Sequence, residues 1–186
     1  MNKNIFLIFI FFKIIITNQL FSQETKTDGI IIHNELTFII KSPHNWVVDA
    51  KSLAYNEEEP GLLFYETSEN FNLHDIDVPI IWVNAYSITD EEKNDFSIFV
   101  ENIFEDFKNL GAEIEKVEIK YDDLSGIYFT YDVIFIGSNR VYCDRIVYAR
   151  FDNTCLVIGL NTNDLQKRID LFVKLEELIN NIKVLN

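Results

Sequence analysis

The sequence is poor in the residues on which many metal, nucleotide and catalytic sites depend. Its 186 residues include only two cysteines, three histidines and six glycines. The glycines are scattered, so no glycine-rich loop is available to hold phosphate groups. No histidine-containing group is accompanied by the second spaced ligand pair of a zinc site. Nucleotide binding and zinc binding therefore have no support from motifs.

Positive charge is also scarce. The chain carries 16 Lys and Arg residues against 30 Asp and Glu residues, a formal net charge of −14 at pH 7. Such a surface repels polyanions, so nucleic acid and anionic membranes are not expected as partners. The acidity is typical of a well-solvated surface, and the alternative is an acidic docking face.

The chain has no uninterrupted apolar run of the ~20 residues that a bilayer-spanning helix needs. Lys13 separates the run Ile5 to Phe12 from Ile14 to Ile16. With Lys3 before the run and Ser22 near its end, residues 1–22 have the parts of a secretory signal peptide. An uncleaved membrane anchor is the alternative.

We expect signal cleavage between Ser22 and Gln23. No cysteine lies near this junction, which argues against a lipoprotein. Cleavage would remove two lysines and no acid, leaving residues 23–186 more acidic than the full chain. The prediction is one extracytoplasmic domain, periplasmic or secreted, soluble and without stable membrane insertion after signal removal.

The two cysteines, Cys143 and Cys155, are predicted not to form a disulfide. They fall on two arms of a hairpin that turns near Asp152, and in that register Cys155 lies opposite Arg150. Seven positions then separate it from Cys143, or about 24 Å, whereas bridged Cα atoms lie within about 7 Å. We expect two separate thiols packed as small apolar side chains.

The order of predicted elements indicates an α+β fold. Strand patterns cover 30–32, 36–40, 46–48, 61–65 and 80–86, and four more follow in 113–121, 126–136, 140–150 and 154–160. The last four form an antiparallel meander, and the apolar strand 80–86 is predicted to be central. Long helices are predicted for 90–110 and 163–182.

The first of these helices has clear signals at both ends. Thr89 and Glu92 form a capping box, and Gly111 stands where a left-handed residue ends a helix. Its apolar stripe contains four phenylalanines at helical spacing. The stripe of the closing helix is predicted to comprise Leu165, Ile169, Phe172, Leu175, Leu178, Ile179 and Ile182.

The segment Leu36 to Trp46, containing FIIKSPHNW, resembles the opening of the PsbP-like family, whose fold is shared with the Ran-binding Mog proteins. The segments GLLFY at 61–65 and VPIIWV at 78–83, and the later order of elements, are also similar. The resemblance implies an α/β/α sandwich on a central antiparallel sheet, and a binding or assembly role rather than catalysis. It carries over no site residue, because no ligand set matches.

Two local groupings could carry chemistry. His74, Asp75 and Asp77 could bind a divalent cation if their loop folds back, although a solvated acidic loop is the simpler interpretation. Ser42 and His44 form the only close nucleophile–base pairing, in a turn that Pro43 already explains. We therefore assign no catalytic, cofactor-binding or metal-binding residues and predict no cofactor.

Aromatic residues make up 14% of the chain. Most fall on predicted core stripes, but Trp46, Tyr65, Trp82 and Tyr86 could instead line a ligand groove. The sequence thus favours an exported noncatalytic binding or assembly module with an unknown protein or small-molecule partner. The alternative is a secreted hydrolase with a site assembled from distant residues, and a purely structural envelope protein is a third possibility.

Overall fold

The structure, a computed structural model, describes residues 28–49, 60–66, 79–109, 111–121, 127–136, 141–162 and 167–185. The strands in these ranges are β1 (Asp28–His33), β2 (Leu36–Lys41), β3 (Trp46–Asp49), β4 (Gly61–Glu66), β5 (Ile80–Ser87), β6 (Glu113–Val117), β7 (Ile127–Ile136), β8 (Val141–Phe151), β9 (Thr154–Thr162) and β10 (Ile182–Leu185). The helices are α1 (Asp90–Asn94), α2 (Phe96–Asn109) and α3 (Arg168–Asn180). None of these three helices is long and apolar enough to cross a membrane.

Seven strands form a large antiparallel sheet in the order β3-β4-β5-β9-β8-β7-β6. The predicted meander is its β6 to β9 half, in which each strand pairs with the next along the chain. The predicted central strand, β5, pairs with β4 on one side and with β9 on the other. Its side chains are apolar on both faces because both faces of the sheet are covered. The α+β class is confirmed.

A three-stranded sheet in the order β1-β2-β10 completes the architecture. β1 and β2, two of the predicted strands, form an antiparallel hairpin. Its turn residues Asn34 and Glu35 have φ of 48° and 68°, the left-handed pair that matches strand twist in a two-residue hairpin. β10 was not predicted, and it pairs with β2 at the opposite end of the chain.

The large sheet is covered on both faces. Helix α2 packs on one face, where its phenylalanines meet residues of β7, β8 and β9. Helix α3 and the small sheet pack on the other face, against residues of β4, β5, β8 and β9. This is the predicted α/β/α arrangement, with the small sheet as an additional layer beside α3.

The hairpin between β8 and β9 has the predicted register. Cys155 lies opposite Arg150, and Cys143 lies opposite Thr162 at the other end of the pair. Cys155 is a free, fully buried thiol. Burial raises the pKa of this thiol well above its ordinary value, with a smaller effect from the negative charge of Glu92. Cys155 is therefore a packing residue, as the sequence predicted.

The helix predicted over 90–110 is interrupted at Asp95. This residue has φ of −133° and ψ of 90°, which ends α1, and its Oδ1 accepts hydrogen bonds from the backbone and hydroxyl of Ser97. Asp95 thus acts as a cap for α2. Helix α1 buries no residue, so no packing favours its continuation.

The outer ends of this helical region are as predicted. The Thr89 side chain accepts from the backbone N–H of Glu92 at 3.3 Å, and Glu92 accepts from the backbone N–H of Thr89 at 2.8 Å. At the other end, Gly111 has φ of 82°, and Ala112 N–H donates to Phe107 O. That bond and the one from Gly111 to Lys108 form a Schellman motif.

The closing helix is shorter than predicted. Helix α3 covers Arg168–Asn180, and Ile182 instead begins β10. Ile182 is buried as expected, but Ile169 is exposed and Leu171 is buried in its place. The rest of the described stripe is as predicted, since Leu175, Leu178 and Ile179 are buried and Phe172 packs against the core. Leu165 lies outside the described residues. The local pattern does not reveal that Ile182 begins a strand paired with β2.

Candidate functional site

A notch opens at one edge of the large sheet, where β6 leaves β7. The paired residues run from Glu113–Ile134 to Val117–Thr130. β7 begins three residues before Thr130, and within the described part of the chain Ile127, Tyr128 and Phe129 pair with β8 and not with β6. The notch has a volume of about 400 Å³, within the range of small-molecule sites. Its walls are Lys116, Val117, Glu118, Ile119, Lys120, Tyr128, Phe129 and Thr130.

The divergence of the two strands follows from the apolar residues after β6. Ile119 is partly buried against the core on the α3 face, and Tyr121 belongs to that core. Burying these two side chains draws the chain away from the edge of β7. The Tyr121 backbone N–H then donates to the Tyr128 hydroxyl at 3.1 Å, and the two rings pack edge to face. The notch is the space enclosed between this segment and β7.

Three charged side chains are among the described residues that line the notch. Lys116 lies 5.0 Å from the centre of the Phe129 ring and 3.6 Å from Glu118. Among the described residues, no carboxylate forms an ion pair with Lys120. Two lysines and one glutamate thus line a cavity in a chain whose net charge is −14.

Two buried hydroxyl groups lie at and beside the notch. The side-chain oxygens of Thr130 and Tyr121 are shielded from solvent, and neither makes a hydrogen bond of ordinary geometry. Burial raises the pKa of Tyr121, while its interaction with the Thr130 hydroxyl and the positive charge of Arg145 act in the opposite direction. The two hydroxyls are therefore close neighbours that can pair with each other beside the notch.

A buried ion cluster follows directly on β7. Arg145 donates from Nε and Nη2 to the two carboxylate oxygens of Asp132 at 2.8 and 3.0 Å. Arg168 Nη2 lies 2.5 Å from Asp132 Oδ2. Both guanidinium groups also lie over the Phe172 ring, at 3.5 Å for Arg145 and 4.9 Å for Arg168. This cluster fastens the start of α3 to the sheet, and its function is structural.

The Ser42–His44 pair, considered above as a nucleophile and base, is not assembled in the structure. The Ser42 hydroxyl is buried without a hydrogen-bond partner, so it makes no dyad with His44. His44 uses its backbone, donating to Glu177 at 2.8 Å and accepting from Lys174 at 3.3 Å. The turn interpretation accounts for this segment, because Trp46 N–H donates to Pro43 O. His74, Asp75 and Asp77 lie outside the described residues.

The four aromatic residues considered for a groove are divided between the two faces of the sheet. Trp46 is buried in the core on the α3 face. Trp82 and Tyr86 pack against the core on the α2 face, and Tyr65 is buried. Trp82 lies directly on Gly159, where a Cβ would come within 2.1 Å of the indole ring. These residues therefore form core contacts and do not share an exposed cluster.

The sequence did not reveal a polar network that joins the two sheets. Asn34 donates to Ser87 Oγ at 3.0 Å and to Asn153 O at 3.3 Å. His33 Nε2 lies 3.4 Å from Ser87 Oγ, and His33 Nδ1 lies 3.1 Å from Thr154 Oγ1. These residues are up to 121 positions apart, so no local pattern could have found them.

The notch was also not predicted from the sequence, although one local feature of the sequence is consistent with it. Thr130 interrupts the apolar side of a strand, and Lys116 and Lys120 bracket the point at which β6 ends. The spacing alone does not show that β6 and β7 separate there. That separation depends on the burial of Ile119 and Tyr121 against distant residues.

The fold and the notch define an α+β sandwich domain with a ligand-sized site at the sheet edge. The fold is similar to that of the Ran-binding protein Mog1p of Saccharomyces cerevisiae, with 11% identity over 85% of this chain and 95% of that one, at a TM-score of 0.52. It is similar to LpqN of Mycobacterium tuberculosis, with 11% identity over 86% of this chain and 91% of that one, at a TM-score of 0.53.

Cyanobacterial PsbP (CyanoP) of Synechocystis has the same fold, with 12% identity over 88% of this chain and 96% of that one, at a TM-score of 0.50. The fold expected from the PsbP-like resemblance is therefore confirmed. Neither a family model nor a curated protein matches the sequence. At these identities the likeness establishes the fold alone.

Proposed function

We propose that this chain is an exported, noncatalytic binding module whose ligand occupies the notch between β6 and β7. The observation that carries the proposal is a cavity of about 400 Å³ whose lining includes Lys120, which has no ion-pair partner among the described residues. Such a cavity has polar groups ready for a ligand. The described residues that line it include no histidine, cysteine or serine, which supports binding over nucleophilic chemistry.

The similar folds support a binding role. Mog1p is named as a Ran-binding protein, and LpqN is described as involved in cell envelope biogenesis. Binding therefore has a precedent on this fold, and an envelope role has one too. The identity of the partner is specific to each protein, because function depends on the site and not on the fold.

Fragment screening by ¹H–¹⁵N NMR tests the site. We expect bound fragments to shift the amide signals of residues 116–120 and 128–130. Glu118→Trp places a bulky side chain at the wall and should abolish these shifts, whereas Glu115→Trp, on the same edge strand outside the notch, should preserve them. Fragments that bind only elsewhere, or none that bind, would contradict the proposal.

Export is proposed from the signal-peptide pattern of residues 1–22, with cleavage between Ser22 and Gln23. Expression with the native N-terminus, followed by fractionation and N-terminal sequencing, should yield an extracytoplasmic protein that begins at Gln23. Replacing Ile8 and Ile10 by aspartate should block export, because it interrupts the apolar run. A full-length product held in the membrane would instead identify an uncleaved anchor.

A hydrolase is the second candidate, because Ser87, His33 and Thr154 are connected in the order nucleophile, base and orienting group. Two features oppose it. Thr154 is neutral where such sites use a carboxylate, and Asn34 already donates to the Ser87 hydroxyl. The network also has a structural role, since it ties the β1–β2 turn to β5 and β9.

A fluorophosphonate probe separates the two candidates, because it labels activated serines. We expect no labelling of Ser87 at concentrations that label a control serine hydrolase completely. Labelling of Ser87 that is lost in His33→Gln would favour the hydrolase.

A further inference from the structure

We infer that two copies of this chain associate through the outer surface of the layer formed by α3 and the small sheet. This surface, the outer layer face, is the side of α3, β1, β2 and β10 that points away from the large sheet. The inference is independent of the notch and adds an interaction surface to the proposed binding function.

The outer layer face carries most of the large apolar side chains that the described residues expose. The exception is Ile127 on β7. Contiguous exposed apolar surface is uncommon on monomeric proteins and is typical of interaction sites. The side chains on this face, which are between 51% and 76% exposed, are Ile30, Ile32, Ile169, Val173 and Leu185.

The register of the small sheet brings its exposed residues together. Residues that are paired across strands point to the same side of a sheet, and along β1 exposed residues alternate with buried ones. Two rows of side chains therefore cross all three strands on the outer side. These rows are Ile30–Ile39–Lys183 and Ile32–Thr37–Leu185.

The size of the outer layer face is close to that of a stable interface. Three strands about 4.8 Å apart, with a helix about 10 Å across beside them, give it a width of about 24 Å. Helix α3 has 13 residues and is therefore about 20 Å long. A standard interface buries about 800 Å² of accessible surface on each partner, which a corrugated face of these dimensions can provide.

The charges of this layer favour a second copy as the occupant. The chain has a net charge of −14, yet the two signs are balanced in these four elements. A surface that meets its own copy has to present both signs, because a surface of one sign would oppose like charges. The four acidic and four basic residues are Asp28, Asp170, Glu176 and Glu177, and Lys41, Arg168, Lys174 and Lys183.

Sedimentation velocity tests the inference on the chain that begins at Gln23, the proposed mature form. We expect a reversible monomer–dimer equilibrium between about 10 µM and about 1 mM. The ¹H–¹⁵N signals of residues 30, 32, 169, 173 and 185 should shift with concentration over the same range. A chain that stays monomeric throughout would overturn the inference.

Matched apolar-to-lysine variants locate the contact. Ile32→Lys and Ile169→Lys should each weaken the dimer at least about tenfold, because every dimer would then bury two unpaired ammonium groups. Ile127→Lys makes the same change at an exposed position on β7 and should leave the dimer unchanged. Thermal unfolding verifies that all three variants are folded. Dimers that persist in both face variants, or that are weakened equally by Ile127→Lys, would contradict this interface.

A second pair of variants tests the charge balance. Lys183→Glu should weaken the dimer about fivefold, because it makes the outer layer face acidic. Lys108→Glu changes the net charge by the same amount at an exposed position on α2, on the other side of the large sheet, and should have little effect. Equal weakening in both variants would show that Lys183 does not lie at the interface.

A lipid surface is the competing occupant, and vesicles of phosphatidylcholine distinguish it. We expect no co-sedimentation of the chain with these vesicles. A monomeric chain that binds the vesicles and loses this binding in Ile32→Lys would assign the outer layer face to a membrane and overturn the inference.

Discussion

Thr130 and Asp132 lie two residues apart on the same face of β7, but their polar atoms differ in hydrogen bonding. Asp132 receives three hydrogen bonds from two arginines, and both arginines pack on Phe172. Thr130 is equally buried and has no hydrogen-bond partner. The comparison separates a carboxylate whose two oxygens are both paired from a hydroxyl that is not, although Arg168 Nε in the Asp132 cluster is also buried without a partner.

The reason for the difference is the covering element. Asp132 lies under the first turn of α3, which supplies Arg168 and Phe172. Thr130 lies nearer the end of the β6 pairing, where the chain moves away from β7 and opens the notch. Buried polar groups that are fully paired hold a fold together, whereas each one left unpaired requires a local explanation.

The largest expected effect comes from removing Asp132. Asp132→Ala leaves two arginines in a mostly buried position without their carboxylate, and we expect a loss of about 3 kcal/mol in the free energy of unfolding. Urea denaturation measures this. Glu118→Ala breaks an exposed ion pair with Lys116 and should change stability by less than about 0.5 kcal/mol. Similar losses in both variants would contradict the structural role of the Asp132 cluster.

Asp144, on the opposite face of β8, is intermediate between Asp132 and Thr130, because its carboxyl group is only partly hydrogen-bonded. Its Oδ1 is buried without a partner, and burial raises the pKa to about 6, partly offset by a hydrogen bond with Asn161. Because the pKa of Asp144 is higher in the folded state than the ordinary value of 3.8, protonation favours folding. This contribution is complete below pH 4 and is lost as the pH rises through 6.

Asp144→Asn removes this dependence. We expect the variant to be more stable than the natural protein at pH 7.5 by about 2 kcal/mol, allowing for partial exposure, and equally stable near pH 4. Urea unfolding across this range provides the measurement. Parallel stability curves for the two proteins would show that the carboxyl of Asp144 is not perturbed.

The smallest effect is expected at Thr130. Thr130→Val keeps the shape and removes a hydroxyl that has no partner, so stability should change by less than about 1 kcal/mol. Thr154→Val is the matched control, because it removes the hydrogen bond to His33 and should cost about 1–2 kcal/mol. A loss at Thr130 as large as that at Thr154 would show that its hydroxyl is hydrogen-bonded in solution.

Several elements could be predicted because their causes are local. The Thr89–Glu92 capping box, the left-handed Gly111 and the β8–β9 register each depend on residues that are close in sequence. The break at Asp95 was missed, although its cause is also local, because an apolar stripe at helical spacing can continue across two helices. Hydrophobic periodicity predicts which residues are buried more reliably than it predicts where a helix ends.

Elements with distant partners could not be predicted in the same way. The sequence pattern of residues 182–185 fits the end of a helix, and only their pairing with β2 shows that they form a strand. Ser87 likewise contacts His33 only because the two sheets pack together. The notch belongs to this group. Its lining residues are ordinary members of two strands, and their common property is the gap between those strands.

The sequence by itself determined the α+β class, the covered central strand, the separate thiol of Cys155 and the acidic charge. These follow from composition and from contacts between neighbours in the chain. The tertiary structure alone decided that Asp132 is paired and Thr130 is not, and that β6 leaves β7 at Val117. The physical reason is that the hydrogen-bond partners of a buried group, and the cavity beside it, are set by which distant element packs over it.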